Sequence, residues 1–271
     1  MQPVEVITSK TNTRVKALRA SMEGKARRPG ELVGLEGEHL LAEAMRSGVS
    51  LETVFVRQGS EETLRGPVLR TLRERDVVVL SAEVFDSAVQ TASPRGIAAT
   101  MKIPAVPSLE MTATLGMFLF LEDIQDPGNL GTLIRSAEAF GARCVYVTQA
   151  TVNAWNPKVM RSSAGSIFRM RVLTTTLKEF AEAMRAGGVR TVAAVAREKG
   201  AVSLHAAGLR APCAVMIGNE GAGLSREAMD VAAERVWIPC GVESLNAAIA
   251  GSVLLYEAAR QNEAAFERGA V

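Results

Sequence analysis

Residues 117–135 read Met-Phe-Leu-Phe-Leu-Glu-Asp-Ile-Gln-Asp-Pro-Gly-Asn-Leu-Gly-Thr-Leu-Ile-Arg, an apolar run followed by a Pro-Gly turn and a helical pattern. An apolar run of this length, bounded by turn residues, reads as a strand buried on both faces, which is the habit of parallel sheets. Working outward, the same reading applies to Cys144–Val147, Thr191–Ala196 and Ala214–Ile217. Helical patterns at Leu130–Phe140, Leu177–Ala186 and Arg226–Ala233 separate these strands, and a helix rich in small residues, Leu245–Arg260, follows them. Strands alternating with helices define an α/β fold with a parallel sheet covered on both sides.

Upstream, residues 36–101 form a second α/β pattern: a helix Glu36–Arg46, a strand Thr53–Val56, a helix Glu61–Arg75, a strand Val77–Leu80, a short helix Glu83–Thr91 and a strand Ile97–Met101. Ile103-Pro-Ala-Val-Pro-Ser108 holds two prolines and neither period, which is how a linker reads. The expected organisation is a smaller α/β domain over residues 1–102, a linker over 103–112 and a parallel-sheet domain over 113–271.

Composition narrows the functional classes. Of 271 residues, 48% are hydrophobic and 22% charged, the balance of a soluble globular protein. No apolar run reaches the roughly 18 residues of a membrane span, and the first residues lack the apolar stretch of a signal peptide, so a cytoplasmic location and no membrane partner are expected. Cys144, Cys213 and Cys240 are odd in number and widely spaced, which argues against a disulfide framework or a zinc site. With only His39 and His205 present, mechanisms built on paired histidines have almost nothing to use. The formal charge is only +2, yet residues 1–30 hold Lys10, Arg14, Lys16, Arg19, Lys25, Arg27 and Arg28 against Glu5 and Glu23. A basic arm follows, either a solvated face or a contact for nucleic-acid phosphates.

Three segments of the second domain stand out as candidate chemistry, because open α/β sheets bind ligands at the carboxyl ends of their strands. They are Asp123–Arg135, Ile217-Gly-Asn-Glu-Gly-Ala-Gly-Leu-Ser225, and Ile238-Pro-Cys-Gly-Val-Glu-Ser-Leu-Asn-Ala247. Read singly, each has a plain structural explanation: Asn129 and Ser244 as helix caps, Glu220 as a turn residue, and Arg135 as the partner of Glu138 one turn on.

Together, these segments resemble the SpoU (TrmH) family of RNA 2′-O-methyltransferases in the knotted SPOUT class. Asn129, Gly131 and Arg135 match the first family motif, Gly218-Asn-Glu220-Gly the second, and Ile238-Pro with Ser244-Leu-Asn246 the third. Asn12-Thr-Arg14 and Glu36-Gly-Glu38 resemble the RNA-capturing domain of ribosomal RNA members. The resemblance implies a deep trefoil knot at the C-terminus, a homodimer, and S-adenosylmethionine held at Gly218, Asn219, Gly221, Ile238, Pro239 and Leu245. It also implies a catalytic set of Asn129, Arg135, Glu220, Ser244 and Asn246, and an RNA substrate, ribosomal before transfer RNA, with Arg14, Lys16, Arg27 and Arg28 as expected phosphate contacts.

The sulfonium methyl is already electrophilic, so the transfer calls for positioning and an activated oxygen, and no metal is expected. A guanidinium holds its proton too tightly to be a good base, which favours Arg135 as a phosphate clamp that lowers the hydroxyl's pKa, with proton abstraction by a desolvated Arg135 as the competing version. Base methylation by the same class of enzyme, and a non-catalytic RNA binder, are the alternative functions.

Overall fold

The computed structural model describes residues 6–66, 77–91, 94–105 and 116–262. The chain divides into two compact units, Met1–Ala105 with Asn153–Phe168, and Val106–Val152 with Arg169–Val271. The change of unit after Ala105 falls inside the proline-bearing stretch expected to link two domains, whose residues 106–112 lie outside those described. Residues 153–168, expected in the second domain, cluster with the first.

The first unit holds strands β1 (Val6–Ile7), β2 (Leu32–Glu36), β3 (Leu51–Arg57), β4 (Val77–Leu80) and β5 (Ile97–Lys102), in the order β1-β4-β3-β5-β2. β5 runs antiparallel to both β3 and β2, and the remaining pairs are parallel. Helices α1 (Thr13–Ser21), α2 (Glu38–Arg46) and α3 (Ala82–Ala88) accompany the sheet. The stretch read as a basic arm is therefore partly a helix. Asn12 caps it by accepting from the Arg14 N–H, and Val15 and Leu18 are buried with Met22, Phe55, Leu80 and Phe85 while Arg14 and Lys16 stay exposed. Glu36, expected to open a helix, ends β2 instead, and Gly37 at φ 97° makes the turn into α2, a conformation that favours glycine. Of the expected helix 61–75, residues Glu61–Arg65 form a 3-10 turn and residues 67–75 are not among those described.

The second unit carries β6 (Met117–Leu121), β7 (Ala142–Val147), β8 (Val172–Thr174), β9 (Arg190–Ala194), β10 (Val202–Ser203), β11 (Cys213–Ile217) and β12 (Glu234–Trp237). They form one sheet in the order β10-β12-β9-β11-β6-β7-β8, with every pair parallel. β6 and β11 are buried along their whole length, as continuous apolar runs require. Its helices are α4 (Pro127–Ala139), α6 (Leu177–Ala186), α7 (Arg226–Val231) and α8 (Ala247–Gln261), while α5 (Pro157–Ser162) belongs to the first unit. On one face, Phe118, Phe120 and Tyr146 pack with Phe180 and Met184 of α6, and the Phe120 and Phe180 rings stack at 4.3 Å.

On the other face α4 and α8 approach closely. A Cβ on Gly251 of α8 would fall 2.3 Å from Cδ2 of the fully buried Leu133. Ser136 and Ser252 share a hydrogen bond at 2.7 Å beside this contact. The small residues of α8 thus serve helix-on-helix packing. Gly251→Val is expected to lower the unfolding free energy by about 1–3 kcal/mol through overpacking. Urea denaturation measures it, and wild-type stability would show that Leu133 gives way freely.

Candidate active site at the ends of four parallel strands

β12, β9, β11 and β6 are consecutive neighbours in the sheet, so their carboxyl ends deliver four loops to one edge. The loop after β11 is folded hard against itself. Gly218 is buried, and a Cβ there would lie 2.1 Å from the carbonyl carbon of Gly223 and from the Leu224 nitrogen, so only glycine fits. Asn219 and Gly223 exchange backbone hydrogen bonds at 3.0 and 2.9 Å. The Asn219 Oδ1 accepts from the N–H groups of Gly221 and Ala222, and its Nδ2 donates to the Asp123 carbonyl at 2.9 Å, tying this loop to the one after β6. There Asp123 holds φ 55°, with its N–H donating to Thr148 Oγ1 and its carboxylate accepting from the same hydroxyl.

Glu220 sits at the N-terminus of α4. Its carboxylate accepts from the N–H groups of Gln125 and Asp126, both at 3.2 Å, and from Asn129 Nδ2 at 2.9 Å. A carboxylate here satisfies donors that the helix leaves open and faces the positive end of its dipole. Burial pushes the Glu220 carboxyl up, but the donations from Asn129, Gln125 and Asp126 outweigh it and hold the group below the usual carboxylate range. Asn129 passes the connection on, since its Oδ1 accepts from Asn246 Nδ2 at 3.0 Å. The Asn246 Oδ1 in turn caps α8 by accepting from Ala248 and Ile249. One relay, Glu220 to Asn129 to Asn246, therefore joins the three candidate segments.

The α4 cap is Asp126, which accepts from the Asn129 N–H at 2.9 Å, and the α8 cap is Asn246, so neither Asn129 nor Ser244 is a cap. α8 accordingly begins at Ala247 and not at Leu245.

A cavity of about 820 Å³ opens beside the relay. Gly218, Asn219, Glu220, Gly221, Ile238, Ser244 and Leu245 line it, while Pro239 lies between the lining residues Ile238 and Cys240. The loop after β9, residues 195–198, and Trp237 also form its wall, with the Arg197 guanidinium 5.0 Å over the Trp237 ring. The sequence reading missed this fourth loop, although it too follows an apolar strand, which was the available signal. Asn129, Arg135 and Asn246 are not on the wall. Arg135 is exposed on α4, and among the described residues its side chain has no hydrogen-bond or ion-pair partner, so the alternative of a plain helix-face pair with Glu138 is not made.

The cavity falls within the range of about 300–1,000 Å³ typical of small-molecule sites. Ile217, Leu224, Val236, Ile238 and Leu245 give it apolar walls for a flat base, and the loop backbones at Gly218–Gly223 offer polar groups for a ribose. Glu243 is on the same wall, while the Glu220 carboxylate is engaged at the head of α4 and Glu198 pairs with Arg235 at 3.4 Å. These features fit S-adenosylmethionine. Among the described residues, no group of three or more His, Cys, Asp or Glu is placed to hold a metal ion.

A parallel α/β sheet with a cavity of about 820 Å³ among its strand-end loops is the arrangement of α/β enzymes that bind their ligands at the carboxyl ends of the strands. The SpoU rRNA methylase family model matches residues 116–256, and an MRM3-like substrate binding domain model matches residues 12–99. A tRNA/rRNA methyltransferase of Synechocystis, itself uncharacterised, is 36% identical, with 97% of this chain and 96% of that protein covered. The 23S rRNA (guanosine(2553)-2′-O)-methyltransferase RlmP of Bacillus subtilis is 32% identical over 92% of this chain and 97% of that one. Among solved structures, the SpoU methyltransferase AviRb from Streptomyces viridochromogenes in complex with the cofactor AdoMet superposes with a TM-score of 0.78 at 26% identity, covering 93% of this chain and 98% of that one. The chain belongs to the SpoU rRNA methylase family.

Because the folded pKa of Glu220 is lowered, its grip on α4 is fully present above the ordinary carboxylate value of 4.5 and is lost as the pH falls through the folded value. The amide resonances of Gln125 and Asp126 are expected to titrate together with a midpoint below 4.5, and this titration should vanish in Glu220→Gln. Methyl transfer by Glu220→Gln should fall about a hundredfold from misplacement of α4. Unchanged amide titration in the variant would remove Glu220 from this role.

Proposed function

We propose that this chain transfers a methyl group from S-adenosylmethionine to a ribose 2′-hydroxyl of ribosomal RNA, with the large-subunit RNA as substrate. The observation that carries this reading is the relay from Glu220 through Asn129 to Asn246, which knits all three family motifs together beside the cavity. The cofactor supplies an electrophilic methyl on a sulfonium centre, so the protein's own part is to place the acceptor oxygen and ease its deprotonation.

Gly218, Asn219 and Gly221 would hold the cofactor through backbone groups, and Ile238 and Leu245 would give it apolar contact, with Pro239 between the lining residues Ile238 and Cys240. Ser244, exposed at the cavity wall, would hydrogen-bond the target ribose. Arg135 is exposed and has its fork of donors open for a phosphate next to that ribose. Fixing and neutralising the phosphate lowers the cost of forming an oxyanion beside it. Asn129, Glu220 and Asn246 hold the loops in register as positioning residues.

In the first unit, Arg14 and Lys16 on α1 and Arg27 and Arg28 beyond it are exposed and suited to phosphates along the RNA. On α8, Ile249 and Tyr256 are 54% and 57% exposed, and lie seven residues apart on one face, which supports a homodimer built on this helix. The C-terminal knot and a cytoplasmic location belong to the same reading.

The test is transfer of labelled methyl from S-adenosylmethionine to bacterial ribosomal RNA. A mark that resists alkaline cleavage is expected with the wild type, and Arg135→Ala should reduce its rate by about a hundredfold or more. A mark on a base, or full activity in Arg135→Ala, would overturn the assignment.

A further inference from the structure

The segment 153–168 grips the loop that carries Arg27 and Arg28. Asn153, only 8% exposed, donates from Nδ2 to the carbonyls of Gly24 and Ala26 at 2.9 and 2.6 Å, while its Oδ1 accepts from the Trp155 N–H. Gly24 has φ +69°, and a Cβ there would come within 3.1 Å of Asn156 Nδ2 and 3.2 Å of Pro157 Cδ, so the two stretches run in close contact. From the other side, Glu31 Oε2 accepts from the backbone N–H groups of Arg27 and Arg28 at 2.7 and 3.0 Å.

The loop backbone is thus held twice, and the Glu31 oxygen that could have paired a guanidinium is taken by N–H donors. Both guanidiniums are exposed and neither makes a salt bridge among the described residues, although Arg28 remains close enough to Glu31 to act on its charge. α5, whose Pro157, Val159 and Met160 are buried, carries Arg161 on its outer side, exposed and likewise unpaired.

We propose that Arg27, Arg28 and Arg161 form one phosphate-binding surface for the RNA backbone, with Asn153 as the positioning residue that pre-orders the Arg27–Arg28 loop. This rests on the RNA-methyltransferase reading above. Guanidinium forks match phosphate oxygens, and a loop ordered before binding does not spend binding energy on its own immobilisation. The first unit's own sequence up to Ala105 therefore lacks part of its RNA surface, which the chain supplies from Asn153 onward.

The experiment measures binding of the full-length protein to an unmodified 23S ribosomal RNA transcript across a salt series, beside calorimetric affinity for S-adenosylmethionine. Arg161→Gln is expected to weaken RNA binding several-fold and reduce the slope of log K against log salt by about one, with cofactor affinity kept. Asn153→Ala should weaken RNA binding in the wild-type background but add nothing in R27A/R28A, whereas a merely structural role would weaken both backgrounds alike. Wild-type affinity and salt slope in Arg161→Gln, or an equal effect of Asn153→Ala in both backgrounds, would overturn the surface while leaving methylation untouched. A wild-type protein that binds cofactor but neither binds nor methylates the transcript would overturn the functional reading itself.

Discussion

The carboxylate of Glu220 at the head of α4 is the interaction on which the site depends. A helix start leaves N–H groups without partners, and a strand-end loop leaves a flexible stretch of backbone. Glu220 answers both needs at once, because it is carried by the loop after β11 and spends its acceptors on the loop before α4. The remaining donation, from Asn129, turns a pairwise contact into a chain that reaches the cap of α8. Three loops separated widely in sequence therefore share one set of hydrogen bonds, and none can relax without disturbing the others.

That arrangement is possible only because the backbone is brought unusually close in two places. Gly218 lets the loop after β11 fold onto Gly223 and Leu224, which points Glu220 outward toward α4. Gly251 lets α8 settle on Leu133, which brings Asn246 at its head level with Asn129. Burial of β6 and β11 on both faces fixes the strands from which these loops spring. Apolar packing thus sets the positions, and the polar relay selects one geometry among those the packing allows.

How much of this could be read from the sequence follows from burial. β6, β7, β9 and β11 were legible because a strand covered on both sides is an unbroken apolar run. β8, β10 and β12 were not, being two to four residues long and half-buried, with Glu234 and Arg235 interrupting the last. α5 spans six residues, too few for a helical period, although Asn156-Pro157 is a start signal that the residues did carry. Pro127 at the first turn of α4 likewise pointed to Asp126 as the cap, and so away from Asn129. The bond from Asn246 to Asn129 spans 117 positions and has no local signature, so only likeness to a family could bring those two residues together before the structure did.

The charges around the cavity bear on what Arg135 does. A ligand with a sulfonium is repelled by a nearby guanidinium, and two unit charges about 4 Å apart cost about 4 kcal/mol at the effective dielectric of a protein surface. The one guanidinium on the wall, Arg197, lies against the face of Trp237. Arg135 is kept off the wall, on the exposed side of α4. A residue acting as a base on the acceptor oxygen would have to be desolvated, which an exposed guanidinium is not, and it would have to release a proton that a guanidinium holds tightly. A cation that meets the phosphate from the solvent side faces neither obstacle. This distribution of charge supports the proposed role of Arg135 as a phosphate clamp.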